Sequence, residues 1–229
     1  MRIEELYCLP YAGGSSWVYN EFVRILGPWV KVIPIDSPGK GKKINIPFCK
    51  SLSEEVKFLN DFLRNRVEGR RYALLGYSKG SLLTYEILQS LEKEYLPQVV
   101  FLAASNPPNR LVDVTELNNM QDDAFIKRII EYGGVSQEAF ANKVFREFAL
   151  QMLRGDYNIM KNYVFNPIFR KIDIPAYILY SSEEDAVKEW DQFFTKKCKY
   201  FYFETGHFFI NSQVQKMRSV ILQGLENGY

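Results

Sequence analysis

Six short, mainly apolar runs recur along the chain, at 6–9, 30–35 (where Lys31 and Pro34 interrupt), 72–75, 99–103, 176–180 and 200–203. Most are bounded by Gly, Pro, Ser or charged residues. Uninterrupted apolar runs of this length suit strands covered on both faces, as in a parallel sheet. Longer amphipathic stretches alternate with them. Residues 17–26 carry Trp17, Phe22, Val23 and Leu26 at roughly helical spacing. Ser51-Leu52-Ser53-Glu54 reads as a capping box, in which a Ser and a Glu satisfy each other's free backbone donors. Behind it Val56, Leu59, Phe62 and Leu63 form one apolar face, and Gly69 ends the helix. Residues 81–91 and 209–225 read as further helices. Strands and helices alternating in this way predict an α/β fold with a mostly parallel central sheet flanked by helices.

The stretch 107–167 breaks that rhythm. It shows no strand, but helical patterns at 117–132, 137–153 and 157–165, punctuated by Gly133-Gly134 and Gly155. Connections of this length are uncommon in compact domains and often functional. The expectation is a single domain over residues 1–229, with a helical lid over one end of the sheet at about 107–167.

Composition narrows the functional classes. Of 229 residues, 47% are hydrophobic and 24% charged, the range of an ordinary globular protein. Lys plus Arg is 29 against 27 for Asp plus Glu, too balanced for binding nucleic acid by bulk charge. Cys8, Cys49 and Cys198 have no metal-ligand spacing, so neither a disulfide framework nor a metal site is expected. The N-terminus has no signal-peptide pattern and no run is long enough to span a membrane, which points to the cytoplasm and away from membranes. A single histidine, His207, is present, and any mechanism that needs an imidazole depends on it.

The sharpest chemical signal is Leu74-Leu75-Gly76-Tyr77-Ser78-Lys79-Gly80-Ser81. Gly-x-Ser-x-Gly between a strand and a helix is the nucleophile elbow, a turn so tight that residues two positions either side of the serine must lack a Cβ. The serine is then held above the sheet at a helix N-terminus. A hydroxyl needs a base to become a nucleophile, and His207, between the last strand and last helix, belongs at the same sheet edge. A third residue should orient that imidazole. The turn Ser181-Ser182-Glu183-Glu184-Asp185 supplies carboxylates, with Asp185 chosen and Glu183 and Glu184 as close competitors. Glu204 fits less well, because it falls within the final strand. The backbone N–H of Lys79 and that of Ala12 or Gly13, in Tyr11-Ala12-Gly13-Gly14-Ser15, are the expected oxyanion donors.

These residues resemble the type II (editing) thioesterases of nonribosomal peptide and polyketide assembly lines, members of the α/β-hydrolase superfamily. The stretch from Leu6 to Ser15 resembles the family's opening motif, in which the alanine N–H serves the oxyanion hole; Ala12 holds that place. Pro38-Gly39-Lys40-Gly41 resembles its Pro-Gly-Arg-Gly loop, and Gly206-His207-Phe208-Phe209 its histidine motif. Asp185 and Trp190 stand where the family has its acid and a tryptophan. Tyr77 and Lys79 depart from the usual Gly-His-Ser-Met-Gly, and Ser182 replaces a glycine. The position of Tyr77 is expected to have no role in the triad, whereas Lys79 puts a cation beside the acyl pocket, where it could alter substrate choice.

The resemblance implies hydrolysis of acyl or aminoacyl thioesters on the phosphopantetheine arm of acyl- or peptidyl-carrier proteins, through an acyl-serine on Ser78. It implies no metal and no tightly bound cofactor; the chain is expected to be a monomer that acts on its carrier partner. Lys40, Lys42, Lys43 and Lys50 make a basic stretch that could meet an acidic carrier, or be a solvated loop. The competing reading is a general carboxylesterase or lipase-like enzyme acting on small oxygen esters. A non-catalytic binding protein on the same fold is disfavoured by an intact set of serine, acid and histidine.

Overall fold

A computed structural model describes residues 2–134, 137 and 139–227. Six strands form one parallel sheet: β1 (Glu5–Leu9), β2 (Lys31–Pro34), β3 (Tyr72–Tyr77), β4 (Val99–Ala103), β5 (Ala176–Tyr180) and β6 (Lys199–Tyr202). Their order is β2-β1-β3-β4-β5-β6. The six apolar runs of the sequence all become strands, with ends that move by one or two residues.

Successive side chains point to opposite faces of a strand, and in the inner strands β1, β3, β4 and β5 both faces are covered, while the edge strands β2 and β6 are partly exposed. From β1, Tyr7 and Leu9 enter one apolar cluster while Leu6 and Cys8 enter the other. The first cluster is closed by α2 (Leu52–Val67) and α3 (Lys79–Ser90), the second by α1 (Asn20–Leu26) and α8 (Val214–Asn227). That double burial is why the inner strands read as continuous apolar runs rather than as an alternation.

At the start of α2, Ser51 caps as expected, its hydroxyl accepting from the Glu54 N–H at 3.2 Å. The reciprocal bond is displaced by one residue, because the Glu54 carboxylate takes the Lys50 N–H at 2.8 Å. The helix read at 17–26 begins as a 3-10 turn at Ser16–Tyr19 before α1, and the last one divides at Gln213 into α7 (Phe209–Ser212) and α8.

Between β4 and β5 lie α4 (Thr115–Asn119), α5 (Asp122–Glu131) and α6 (Lys143–Lys161). The helix expected at 117–132 is broken at Met120 and Gln121. The one expected from Gln137 begins at Lys143, and Glu138 lies outside the described residues, as do Val135 and Ser136. Gly155, read as punctuation, does not interrupt: α6 runs through it, merging the expected helices at 137–153 and 157–165. A glycine inside a helix costs about 1 kcal/mol relative to alanine, and the apolar face of a 19-residue helix outweighs that. Phe125, Ile126, Ile129, Phe140, Ala149 and Leu153 give the insertion an apolar cluster of its own.

Candidate active site

Every group of the site follows the C-terminal end of a parallel strand, where open α/β sheets place their ligands. Ser78 follows β3 with φ 52° and ψ −115°, a backbone region that L-residues rarely occupy. The glycines around it are sterically required. A Cβ on Gly76 would lie 2.3 Å from the Gly80 carbonyl oxygen, and one on Gly80 only 2.1 Å from that of Leu9. The strained turn is pinned from below: the Ser78 N–H donates to Ala103 O at 2.8 Å, and the Ser81 hydroxyl bonds the carbonyls of Gly76 and Ala103.

His207, after β6, brings Nε2 to 3.0 Å from Ser78 Oγ. Its Nδ1 lies 2.8 Å from Glu184 Oε1. The imidazole is therefore held between a hydroxyl and a carboxylate, with the Nδ1–H tautomer donating to Glu184 and Nε2 free to accept from Ser78. Glu184 is 5% exposed, and its second oxygen accepts from the Ser181 N–H at 2.8 Å and the Ser181 hydroxyl at 2.9 Å. Burial pushes the Glu184 carboxyl up, but the hydrogen bonds from His207 and Ser181 outweigh it and hold it below its ordinary value.

Asp185, the residue chosen from sequence, does not contact the imidazole. It is exposed and accepts from Asn106 Nδ2 at 3.1 Å, while Asn106 Oδ1 accepts the Ala186 N–H at 2.9 Å. The reason is the fold of the turn after β5. Ser181 is buried and bonds the Glu184 side chain back onto itself, which turns Glu184 inward and leaves Asp185 outside. Glu183 and Glu204 are exposed.

Of the two candidates in the loop after β1, Gly13 is already engaged: its N–H donates to Asp156 Oδ2 at 2.7 Å. No acceptor takes the N–H of Ala12 or of Lys79 among the described residues, and both residues line the cavity at Ser78. That cavity has a volume of about 630 Å³. Leu82, Leu111, Val112, Met152, Leu153 and Phe208 make much of its wall apolar, and the insertion supplies most of them.

The Lys79 side chain turns away from this cavity. It is 2% exposed, with Nζ at 2.6 Å from both Glu55 Oε2 and Asp156 Oδ1. Lys40 also pairs with Asp156, so two cations and two carboxylates form a buried, neutral quartet. Burial pulls the Lys79 ammonium down, but Asp156 and Glu55 outweigh it and raise its pKa. At Lys40 burial prevails and lowers the pKa despite Asp156.

Two expectations are corrected by this. Lys79 does not present a cation to an acyl group, and Lys40 does not belong to a surface patch. Lys43 is also engaged, with Nζ donating to the Asp36 carbonyl at 2.6 Å and lying over the rings of Phe58 and Phe62. Only Lys42 and Lys50 of the basic stretch are exposed. Tyr77, expected to be idle, donates its hydroxyl hydrogen to the His207 carbonyl at 2.5 Å and accepts from the Ile210 N–H at 3.1 Å. No local pattern announces Asp156 or Glu55. Their partners lie 77 and 24 residues away from them at Lys79.

Comparison with known proteins agrees with this architecture. Residues 4–223 match the family model of the thioesterase domain. The linear gramicidin dehydrogenase LgrE of Brevibacillus parabrevis is 27% identical over 163 residues, covering 69% of this chain; the chain spans 62% of LgrE. Thioesterase PikA5 of Streptomyces venezuelae is 25% identical over 219 residues, covering 91% of this chain and 76% of PikA5. Among solved structures, ClbQ from the colibactin NRPS/PKS pathway superposes with a TM-score of 0.91 at 25% identity, over 99% of this chain and 98% of ClbQ. The family match takes in all six strands and the loops that carry Ser78, Glu184 and His207, and the chain belongs to the thioesterase domain family.

Proposed function

We propose that this thioesterase hydrolyses acyl or aminoacyl groups from the phosphopantetheine arm of carrier proteins in a nonribosomal peptide or polyketide assembly line. The observation that carries the reading is the seating of His207 between Ser78 Oγ and Glu184. In this mechanism His207 Nε2 takes the proton of Ser78 as its oxygen attacks the thioester carbonyl. The developing oxyanion accepts the N–H groups of Ala12 and Lys79. Collapse of the tetrahedral intermediate breaks the C–S bond, and the proton on His207 goes to the departing pantetheine thiolate. Water, deprotonated by the same nitrogen, then attacks the acyl-serine and releases the carboxylic acid, returning the proton to Ser78. Glu184 holds the tautomer and stabilises the imidazolium throughout. Water is the sole co-reactant that this sequence of steps consumes.

The insertion acts as the lid of the acyl cavity. Its support is the lining itself, since α6 contributes Phe145, Ala149, Met152, Leu153, Tyr157 and Met160. The assembly-line substrate is supported by similarity to PikA5 and to ClbQ, which comes from an NRPS/PKS pathway. The test compares hydrolysis of acetyl-carrier protein, acetyl-pantetheine and a simple oxygen ester. Preference for the carrier-bound thioester is expected. Preference for the oxygen ester would overturn the reading in favour of a general esterase.

A further inference from the structure

Asp156 sits on α6, in the insertion, and is fully engaged by groups from three other segments. Oδ2 accepts the Gly13 N–H at 2.7 Å and an ammonium hydrogen of Lys40; Oδ1 accepts from Lys79 Nζ at 2.6 Å. Gly13 follows Ala12 directly, and Lys79 follows Ser78. One carboxylate thus grips the residue next to one oxyanion donor and the side chain of the residue that supplies the other. The same face of α6 makes a second contact. Leu153, one turn before Asp156, packs on Gly13 so closely that a Cβ there would fall 2.4 Å from Leu153 Cδ2. Gly13 also has φ +76°, a conformation that suits glycine and must be held in place.

We infer that Asp156 is a positioning residue for the oxyanion hole: from the lid helix it fixes the Ala12-Gly13 loop and the Lys79 end of α3 at the separation that lets both N–H groups reach one oxygen. The inference rests on the acyl-serine reading above and adds to it that the helix lining the acyl cavity also sets transition-state stabilisation. A lid helix displaced by an ill-fitting acyl group would carry Asp156 and Leu153 with it and loosen the hole, so that seating of α6 links acyl fit to turnover.

The test uses two double variants that keep the buried charges balanced, Asp156→Asn with Lys79→Met and Asp156→Leu with Lys79→Met, with Ser78→Ala as control. Asparagine still offers an oxygen to the Gly13 N–H; leucine, of similar shape, does not. Removing one oxyanion donor costs roughly 10²- to 10³-fold in kcat, and loss of the clamp is expected to cost the leucine variant roughly thirtyfold or more relative to the asparagine variant. KM should stay within about threefold, the sign of an interaction made only in the transition state. Affinity for an alkyl boronic acid, which forms a tetrahedral adduct on Ser78, should fall in parallel.

Equal kcat and equal boronate affinity in the two folded variants would overturn the inference. Should the leucine variant not fold, hydrogen exchange of the Gly13 amide in the unaltered protein decides. Strong protection supports the clamp, and exchange at the rate of an exposed loop overturns it. If turnover survives Ser78→Ala, the acyl-serine reading has failed, while the exchange measurement still reports on the clamp by itself.

Discussion

The hydroxyl of Tyr77 and the backbone carbonyl of His207 meet across 130 residues of sequence at 2.5 Å. The residue just before the nucleophile therefore anchors the loop that carries the base. Tyr77 also takes the Ile210 N–H, and its ring is fully buried. Removing the hydroxyl strands a buried N–H and a half-buried carbonyl. Tyr77→Phe is expected to destabilise the protein by about 1–3 kcal/mol, read from urea unfolding. It should also lower kcat more than it raises KM, because the imidazole loses its tether.

Ser78→Ala should abolish hydrolysis of an acyl-loaded carrier protein while leaving the melting temperature close to wild type, since the side chain contributes little packing. His207→Ala should be as damaging, because the members of such a unit fail together. Retention of the wild-type rate in either variant would remove that residue from the mechanism.

Glu184 and Asp185 are neighbours with opposite expected phenotypes. Glu184→Gln keeps the shape but no longer holds the imidazole by charge, and kcat should fall roughly a thousandfold or more. Asp185→Asn leaves the His207 contact untouched and should stay within a few-fold of wild type. Single-turnover kinetics on both variants distinguishes them, and the reverse ranking would restore Asp185 as the acid.

The charged quartet predicts an acid-sensitive fold. Burial pushes the Asp156 carboxyl up, but Lys40 and Lys79 outweigh it and hold it at about 2. An unfolded aspartate titrates at about 3.9. The folded value is thus the lower one, so this contribution to stability is present above about pH 4 and is lost as pH falls towards 2. Glu184, also lowered, adds in the same direction. Urea midpoints measured between pH 6 and pH 2.5 should fall over the acid end of that range. Asp156→Asn should be less stable at neutral pH, by about 3–5 kcal/mol for an uncompensated buried charge, and should show a shallower fall below pH 4.

The parts of the site that could be read in the sequence are those whose cause is local. Gly76 and Gly80 flank Ser78 because the turn itself forbids a Cβ at both, and that constraint is written in five consecutive letters. His207 stands out because no other imidazole exists in the chain. The inner strands are legible because both of their faces are covered. The carboxylate that meets His207 is not legible in the same way, because the choice between positions 184 and 185 depends on how a turn closes, and Ser181 settles that through bonds to a side chain three residues on. The place of the Lys79 side chain is hidden for a longer-range reason: its partners come from α2 and α6, and nothing near the elbow in sequence announces two carboxylates beneath it. Gly155 is a poor marker of a helix end because its helical cost is small beside the burial that the whole of α6 gains.

The charges that fasten α6 to the rest of the molecule are shut away from solvent, with Lys40, Lys79, Glu55 and Asp156 all at most 3% exposed. Mobile ions screen surface pairs over distances of about 10 Å but reach such an interior poorly. Raising the ionic strength should therefore leave this fastening intact, and a small pantetheine substrate should be turned over alike in dilute and concentrated salt. Whatever salt sensitivity a full-length carrier shows beyond that belongs to the encounter of the two surfaces.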